Sequence, residues 1–164
     1  MVASLLASLV LLGGSSRASI DAAKRPPMGW TTWCTDGTCG PRPEVCTDAE
    51  VRSVASAMKA NGMLAAGWDR INLDDCWSSQ DRDARGWLVP VPDRFPHGMK
   101  PLIDFLHGLG FKMGLYISGG RKTCRGQTGS YGFSMQDVGA FDAWGADYVK
   151  EGVRPANSYV AEWA

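Results

Sequence analysis

Residues 70–77 read Arg70-Ile71-Asn72-Leu73-Asp74-Asp75-Cys76-Trp77. The run from Arg70 to Asp75 is short and β-forming, and it ends in two adjacent carboxylates, so it reads as a strand that delivers polar groups to one edge of a sheet. Upstream, Met28 to Trp33 is an earlier strand; downstream, Lys112 to Ser118 is a later one and Asp147 to Lys150 begins a fourth. Helical patterns fill the intervals. Thr47-Asp48-Ala49-Glu50 is a capping box, in which a hydroxyl and a carboxylate satisfy free backbone donors at a helix start. Val51, Val54, Ala55 and Met58 follow at helical spacing, and Asn61-Gly62 marks the end. Met99, Leu102, Ile103 and Leu106 share the face of a second helix closed by Gly108 and Gly110, and Val138, Phe141 and Trp144 suggest a third. Strands alternating with helices predict an α/β fold with a parallel sheet. No Gly-x-Gly-x-x-Gly loop follows the first strand, which favours a barrel over a dinucleotide-binding open sheet.

The 164 residues carry 17 basic and 17 acidic side chains and are 45% hydrophobic, the composition of a globular domain. A net charge near zero argues against nucleic acid as a partner. No apolar run approaches the roughly 20 residues that span a bilayer. Residues 2–12 are apolar and Ser16-Arg17-Ala18 has the small-x-small pattern of a cleavage site, so residues 1–18 read as a signal peptide, with a buried N-terminal helix as the other reading. All five cysteines lie beyond residue 18, and secretion or delivery to a lysosome- or vacuole-like compartment would place them where disulfides persist.

Polar and aromatic residues gather where the strands end: Trp33, Asp74 with Asp75, Tyr116 and Lys150. Parallel α/β folds bind ligands at that edge. Adjacent carboxylates need donors or a cation, and sugar hydroxyls supply donors. Taken singly, each residue also has an ordinary structural reading as a solvated turn, a core aromatic or a strand end. His97 and His107 lack a nucleophile motif around them, no Cys-x-x-Cys occurs, and no His or further acid stands at ligand spacing beside the acid pair. Neither a metal nor an organic cofactor is implied.

Taken together, the motifs are specific. Pro27-Met28-Gly29-Trp30 with Trp33, Asn72-Leu73-Asp74-Asp75-Cys76-Trp77, Arg94-Phe95-Pro96-His97-Gly98-Met99-Lys100 and Gly114-Leu115-Tyr116 resemble the α-galactosidase (melibiase) family of glycoside hydrolases. So do Lys122-Thr123-Cys124 with Gly129-Ser130, and Trp144-Gly145-Ala146-Asp147-Tyr148-Val149-Lys150. The resemblance implies a (β/α)8 TIM barrel, incomplete here, with residues 19–150 supplying about the first four strands and three helices. It implies retaining hydrolysis of terminal α-D-galactosyl residues on an oligosaccharide or glycoconjugate, with α-N-acetylgalactosaminidase as the neighbouring activity. On matching positions it gives Asp74 and Asp75 the galactose 4- and 6-hydroxyls, Trp33 and Tyr116 the pocket wall, and Lys150 further ring hydroxyls. It pairs Cys34 with Cys76 and Cys39 with Cys46, and sets Cys124 in a disulfide bordering the site whose other half lies beyond this chain. The family's first strand usually reads Gly-Trp-Asn-Ser-Trp; here Thr31 and Thr32 take the middle places.

The resemblance stops at Lys150. Where the family has its nucleophilic Asp, this chain has Gly152, and Glu151 between them is expected on the opposite face of the strand. The family's acid/base falls on a later strand, and residues 151–164 read as a divergent tail. As written, the chain is expected to be inactive, a truncated portion of an enzyme or a galactose-binding remnant. Four strands of a barrel also leave two open edges, expected to drive oligomerisation or aggregation.

Overall fold

The computed structural model describes residues 26–35, 38–39 and 44–152 of the chain. The expected signal peptide and tail residues 153–164 lie outside these. Nine elements follow in order: β1 (Gly29–Thr31), β2 (Cys34–Thr35), β3 (Thr38–Cys39), α1 (Asp48–Ala60), β4 (Arg70–Leu73), α2 (Lys100–Leu109), β5 (Lys112–Ser118), α3 (Ser134–Trp144) and β6 (Tyr148–Gly152). β1, β4, β5 and β6 form one parallel sheet in that spatial order, while β2 and β3 make a separate antiparallel hairpin. The sheet order follows the chain without reversal, so there is no switch point of the kind that marks doubly wound folds. Connections of one hand then put every helix on the same side, as in a β/α barrel.

Side-chain alternation divides the sheet into two faces. Ile71, Leu73, Met113, Leu115 and Ile117 point to the helices and are buried against Val51, Ala55 and Met58 of α1 and Leu102, Ile103 and Leu106 of α2. Burying each such Val, Leu, Ile or Met stabilises the fold by about 1.5–3 kcal/mol. The other face is polar. Arg70 and Asn72 lie on it, the Tyr148 ring packs over Gly114 where any β-carbon would collide, and the Arg70 guanidinium sits 5.2 Å above that ring. Among the described residues no helix is long and apolar enough to cross a membrane.

The helix ends follow the local chemistry. The Thr47 hydroxyl accepts from the Glu50 N–H at 3.2 Å, which is half of the capping box, and Asn61 closes α1. Gly110 ends α2 with φ of 105°, a left-handed turn that a side chain would strain. The apolar faces of α1 and α2 are those expected. α3 differs: Val138, expected inside, is 57% exposed, while Asp137 is 1% exposed and starts the true buried stripe with Ala140 and Phe141. Asp137 is admitted because Arg82 grips it through two nitrogens, at 2.6 and 2.7 Å, and the Ser130 hydroxyl donates at 2.7 Å. Trp77, though it belongs to the most distinctive motif, is core. Its indole N–H donates to the Tyr116 carbonyl at 2.7 Å, and it stacks edge-on with Phe141 and Trp144.

The disulfide pattern departs from the family expectation. Cys76 is bonded to Cys46, thirty residues away, rather than to Cys34, and Cys46 is therefore not joined to Cys39. The Thr32 hydroxyl lies 3.3 Å from the Cys76 sulfur, and the backbone register of the hairpin sets Cys34 opposite Cys39. Closing a loop of that length stabilises a fold by about 3–4 kcal/mol. Non-reducing peptide mapping should recover a Cys46–Cys76 cross-link, and Cys46→Ser should lower stability by about 3 kcal/mol; a Cys34–Cys76 peptide would restore the family pairing. Asp137→Ala should lose about 3–5 kcal/mol in chemical denaturation, because it strands the buried Arg82, and replacing both partners with Leu should recover part of that loss.

Candidate functional site

The C-terminal ends of the four sheet strands converge on the acid pair. Thr32, directly after β1, is fully buried; its hydroxyl accepts from the Asp74 N–H at 2.9 Å, and its own N–H donates to the Asn72 carbonyl at 3.1 Å. That clamp fixes how the chain leaves β4. Asp74 then turns one carboxylate oxygen to the Asp75 N–H at 2.9 Å and the other to the Lys150 ammonium at 2.5 Å. Lys150 reaches it because β5 and β6 pair Tyr116 with Lys150, on the face opposite the helices. The Lys150 nitrogen lies 5.5 Å from the Tyr116 ring centre and 6.0 Å from that of Trp33. Trp33, Asp74, Tyr116 and Lys150, assembled from four strand ends, therefore meet.

Asp75 belongs to the same centre but is held from the loop after β5. Its Oδ2 accepts from the Arg125 N–H at 2.9 Å, and the Thr123 side chain faces the carboxylate. Among the described residues its buried Oδ1 has no hydrogen-bond partner. Burial pushes the Asp75 carboxyl above the ordinary carboxylate range; the Thr123 and Arg125 hydrogen bonds oppose this, and the charge of Asp74 adds to it. Burial, followed by the negative charge of Asp75, raises the Tyr116 phenol, so that it remains a protonated donor. Cys124, an exposed free thiol, lies beside Tyr116 and so borders the site.

At the end of β6, Gly152 shares the Lys150 face and offers no side chain. A β-carbon there would stand 2.6 Å from the Tyr116 hydroxyl oxygen, so the tyrosine ring fills that space. Glu151 takes the alternate face, with its carboxylate beside Gly119. Among the described residues no group of three or more His, Cys, Asp or Glu is placed to hold a metal ion. The centre thus offers an unpartnered carboxylate oxygen, an ammonium with donors to spare, and two aromatic walls. Such a set suits a neutral polyhydroxyl ring, whose hydroxyls both donate and accept.

Sequence reasoning missed Thr32, which looks like strand filler, and the role of Arg125, which acts through its backbone and leaves no signature in its side chain. Thr123 was visible only as the middle of Lys122-Thr123-Cys124.

A family model described as alpha galactosidase A matches residues 25–160, ten residues past Lys150. Alpha-galactosidase A of Cellvibrio japonicus (strain Ueda107) is 38% identical over 159 residues, covering 93% of this chain and 38% of that protein. Alpha-N-acetylgalactosaminidase of Gallus gallus is 39% identical over 134 residues, covering 78% of this chain and 33% of that protein. The structure of the Saccharomyces cerevisiae alpha-galactosidase with raffinose superposes with a TM-score of 0.71 at 35% identity, over 78% of this chain and 27% of that one. The chain therefore spans about a third of these relatives' length. Those solved structures are (β/α)8 barrels, and the four parallel strands with their helices are part of one. By the family match across most of its length, the chain belongs to the α-galactosidase (melibiase) family.

Proposed function

We propose that this chain carries the galactose-recognising side of a glycoside hydrolase site that acts, with retention, on terminal α-D-galactosyl residues of an oligosaccharide or glycoconjugate. The observation that carries this reading is the Asp75 carboxylate, buried with its Oδ1 unpartnered among the described residues. Leaving a buried charged acceptor unsatisfied costs about 1–3 kcal/mol or more, which a sugar hydroxyl donating to it would relieve. Asp74 would accept from a neighbouring hydroxyl, Lys150 would donate to another, and Trp33 and Tyr116 would face the C–H side of the ring. The raffinose bound by the yeast relative supports a galactoside as the ligand class.

Retaining hydrolysis needs two carboxyl groups about 5–5.5 Å apart across the scissile bond. In this chain Asp74 and Asp75 serve recognition, position 152 is glycine, and Glu151 stands on the other face. The reading for this polypeptide is therefore galactoside binding without hydrolysis. The chicken relative supports a second reading, in which the ligand is an α-N-acetylgalactosaminide. Entry into the secretory pathway, with residues 1–18 as the leader, is supported by the Cys46–Cys76 disulfide, since such bonds persist in oxidising compartments.

Calorimetry with methyl α-D-galactoside should detect binding that Asp74→Ala and Asp75→Asn each weaken about tenfold or more, while an aryl α-galactoside stays intact. Hydrolysis by this chain would refute the non-catalytic reading, and undiminished binding in both variants would refute the site. The raised Asp75 carboxyl gives pH dependences of opposite sign for binding and stability. Binding needs the carboxylate, so affinity should fall on acidification, starting above the ordinary carboxylate range. Stability runs the other way: the neutral form suits the buried site, so Asp75 favours folding below its ordinary value and ceases to as pH rises through the raised one. Thermal denaturation should accordingly place Asp75→Asn above the parent at neutral pH, with the gap closing as pH falls; a lower melting temperature at neutral pH would contradict this.

A further inference from the structure

The loops after β4 and β5 border a second, open cleft of about 260 Å³, lined by none of the residues that form the acid-pair centre. Its walls include Gln80, Asp81 and Arg82 from the first loop and Arg121, Lys122 and Tyr131 from the second. The two loops are stitched together. The Thr128 hydroxyl donates to the Gln80 carbonyl at 2.9 Å, Arg82 donates to the Gly129 carbonyl at 2.8 Å, and the Thr128 N–H donates to the Ser79 carbonyl at 3.2 Å. The walls are thus fixed by bonds within the protein before any ligand enters.

Three cations line the cleft, and their partners differ. Arg82 is saturated by Asp137 and by the Gly86 and Gly129 carbonyls. Lys122 donates to the Gln80 carbonyl and stands 3.5 Å from the exposed Asp81 carboxylate, which leaves it donors to spare. Arg121 stacks 4.5 Å over the Tyr131 ring and, among the described residues, has no carboxylate within ion-pair distance. A guanidinium stacked through its face keeps its N–H fork free in the plane, and that fork matches a carboxylate or sulfate in two-point contact. With Arg82 neutralised by Asp137 and Lys122 by Asp81, the cleft retains one unit of positive charge, on Arg121. Phe133, 39% exposed just before α3 and covered on one side by the Arg82 guanidinium 4.1 Å from its ring centre, adds an apolar edge. The volume lies just below the roughly 300–1,000 Å³ of sites for drug-sized ligands, and so suits a single ring.

We propose that this cleft is a second ligand site for an acidic sugar, a uronate or sulfated ring, whose anion is held by Arg121 and Lys122 and whose ring lies against Phe133. The choice of a sugar as carrier of the anion rests on the galactoside reading of the neighbouring centre; the capture of an anion rests on the cleft alone.

The test is a 1H–15N NMR titration of the full chain with D-glucuronate, sodium sulfate and methyl α-D-galactoside in separate arms. Glucuronate should move the Arg121 side-chain signal and the Lys122 and Thr128 amides, and should saturate them at lower concentration than sulfate. Arg121→Ala should weaken glucuronate about tenfold or more, while Arg85→Ala, an exposed cation on the first loop outside the cleft, should leave it unchanged. Absence of these shifts with both anions, or unchanged affinity in Arg121→Ala, would overturn the site. Sulfate binding as tightly as glucuronate would overturn the acidic sugar as its ligand. The neutral galactoside should leave these signals still and move the Asp75 and Arg125 amides. Its failure to do so while glucuronate binds would count against the galactoside reading and not against the cleft.

Discussion

Asp74 and Asp75 leave β4 side by side and almost wholly excluded from water, where like charges repel and bulk solvent cannot screen them. Each neighbouring element answers that constraint with a different group. β1 sends the Thr32 hydroxyl to the backbone, β6 sends Lys150 to the first carboxylate, and the loop after β5 sends Thr123 and the Arg125 N–H to the second. The register of the parallel sheet and the geometry of the site are therefore one arrangement. A slip of one residue in β6 would turn Lys150 to the helix side and leave Asp74 without its cation.

A second buried charge pair organises the layer outside the sheet. Arg82 and Asp137 neutralise each other while Arg82 also takes two carbonyls, so one guanidinium ties the loop after β4 to the loop after β5 and to the first turn of α3. Buried pairs of this kind contribute little net stability against an apolar alternative. Here the pair fixes rotation: it turns Asp137 inward and Val138 outward, and so decides which stripe of α3 meets Trp77.

The parallel sheet, the three helices and the convergence of Trp33, Asp74, Asp75, Tyr116 and Lys150 were legible because each rests on a local pattern. Alternation marks strands, i, i+3, i+4 spacing marks helices, and strand ends mark the binding edge. Features set by partners distant in sequence were not legible. Asp137 reads as polar and outward until Arg82, fifty-five residues away, is known to lie beside it. The bond from Cys46 to Cys76 joins residues thirty apart, and spacing along the chain does not reveal such a pairing. Thr32 and Arg125 act through a buried hydroxyl and a backbone N–H, neither of which has a periodic signature.

The tyrosine ring that lies where a side chain at position 152 would project couples two positions that are far apart in the chain. A carboxylate introduced at 152 meets a filled space, because its β-carbon would sit 2.6 Å from the Tyr116 oxygen. A smaller residue introduced at 116 opens a void beside Gly152. Substitutions at two positions in such contact are non-additive, so the cost of a change at 152 depends on the residue and rotamer at 116. A side chain at the end of β6 is accommodated when the Tyr116 ring, the far end of a flexible side chain, turns aside, so the orientation of that ring sets which residues position 152 can accept.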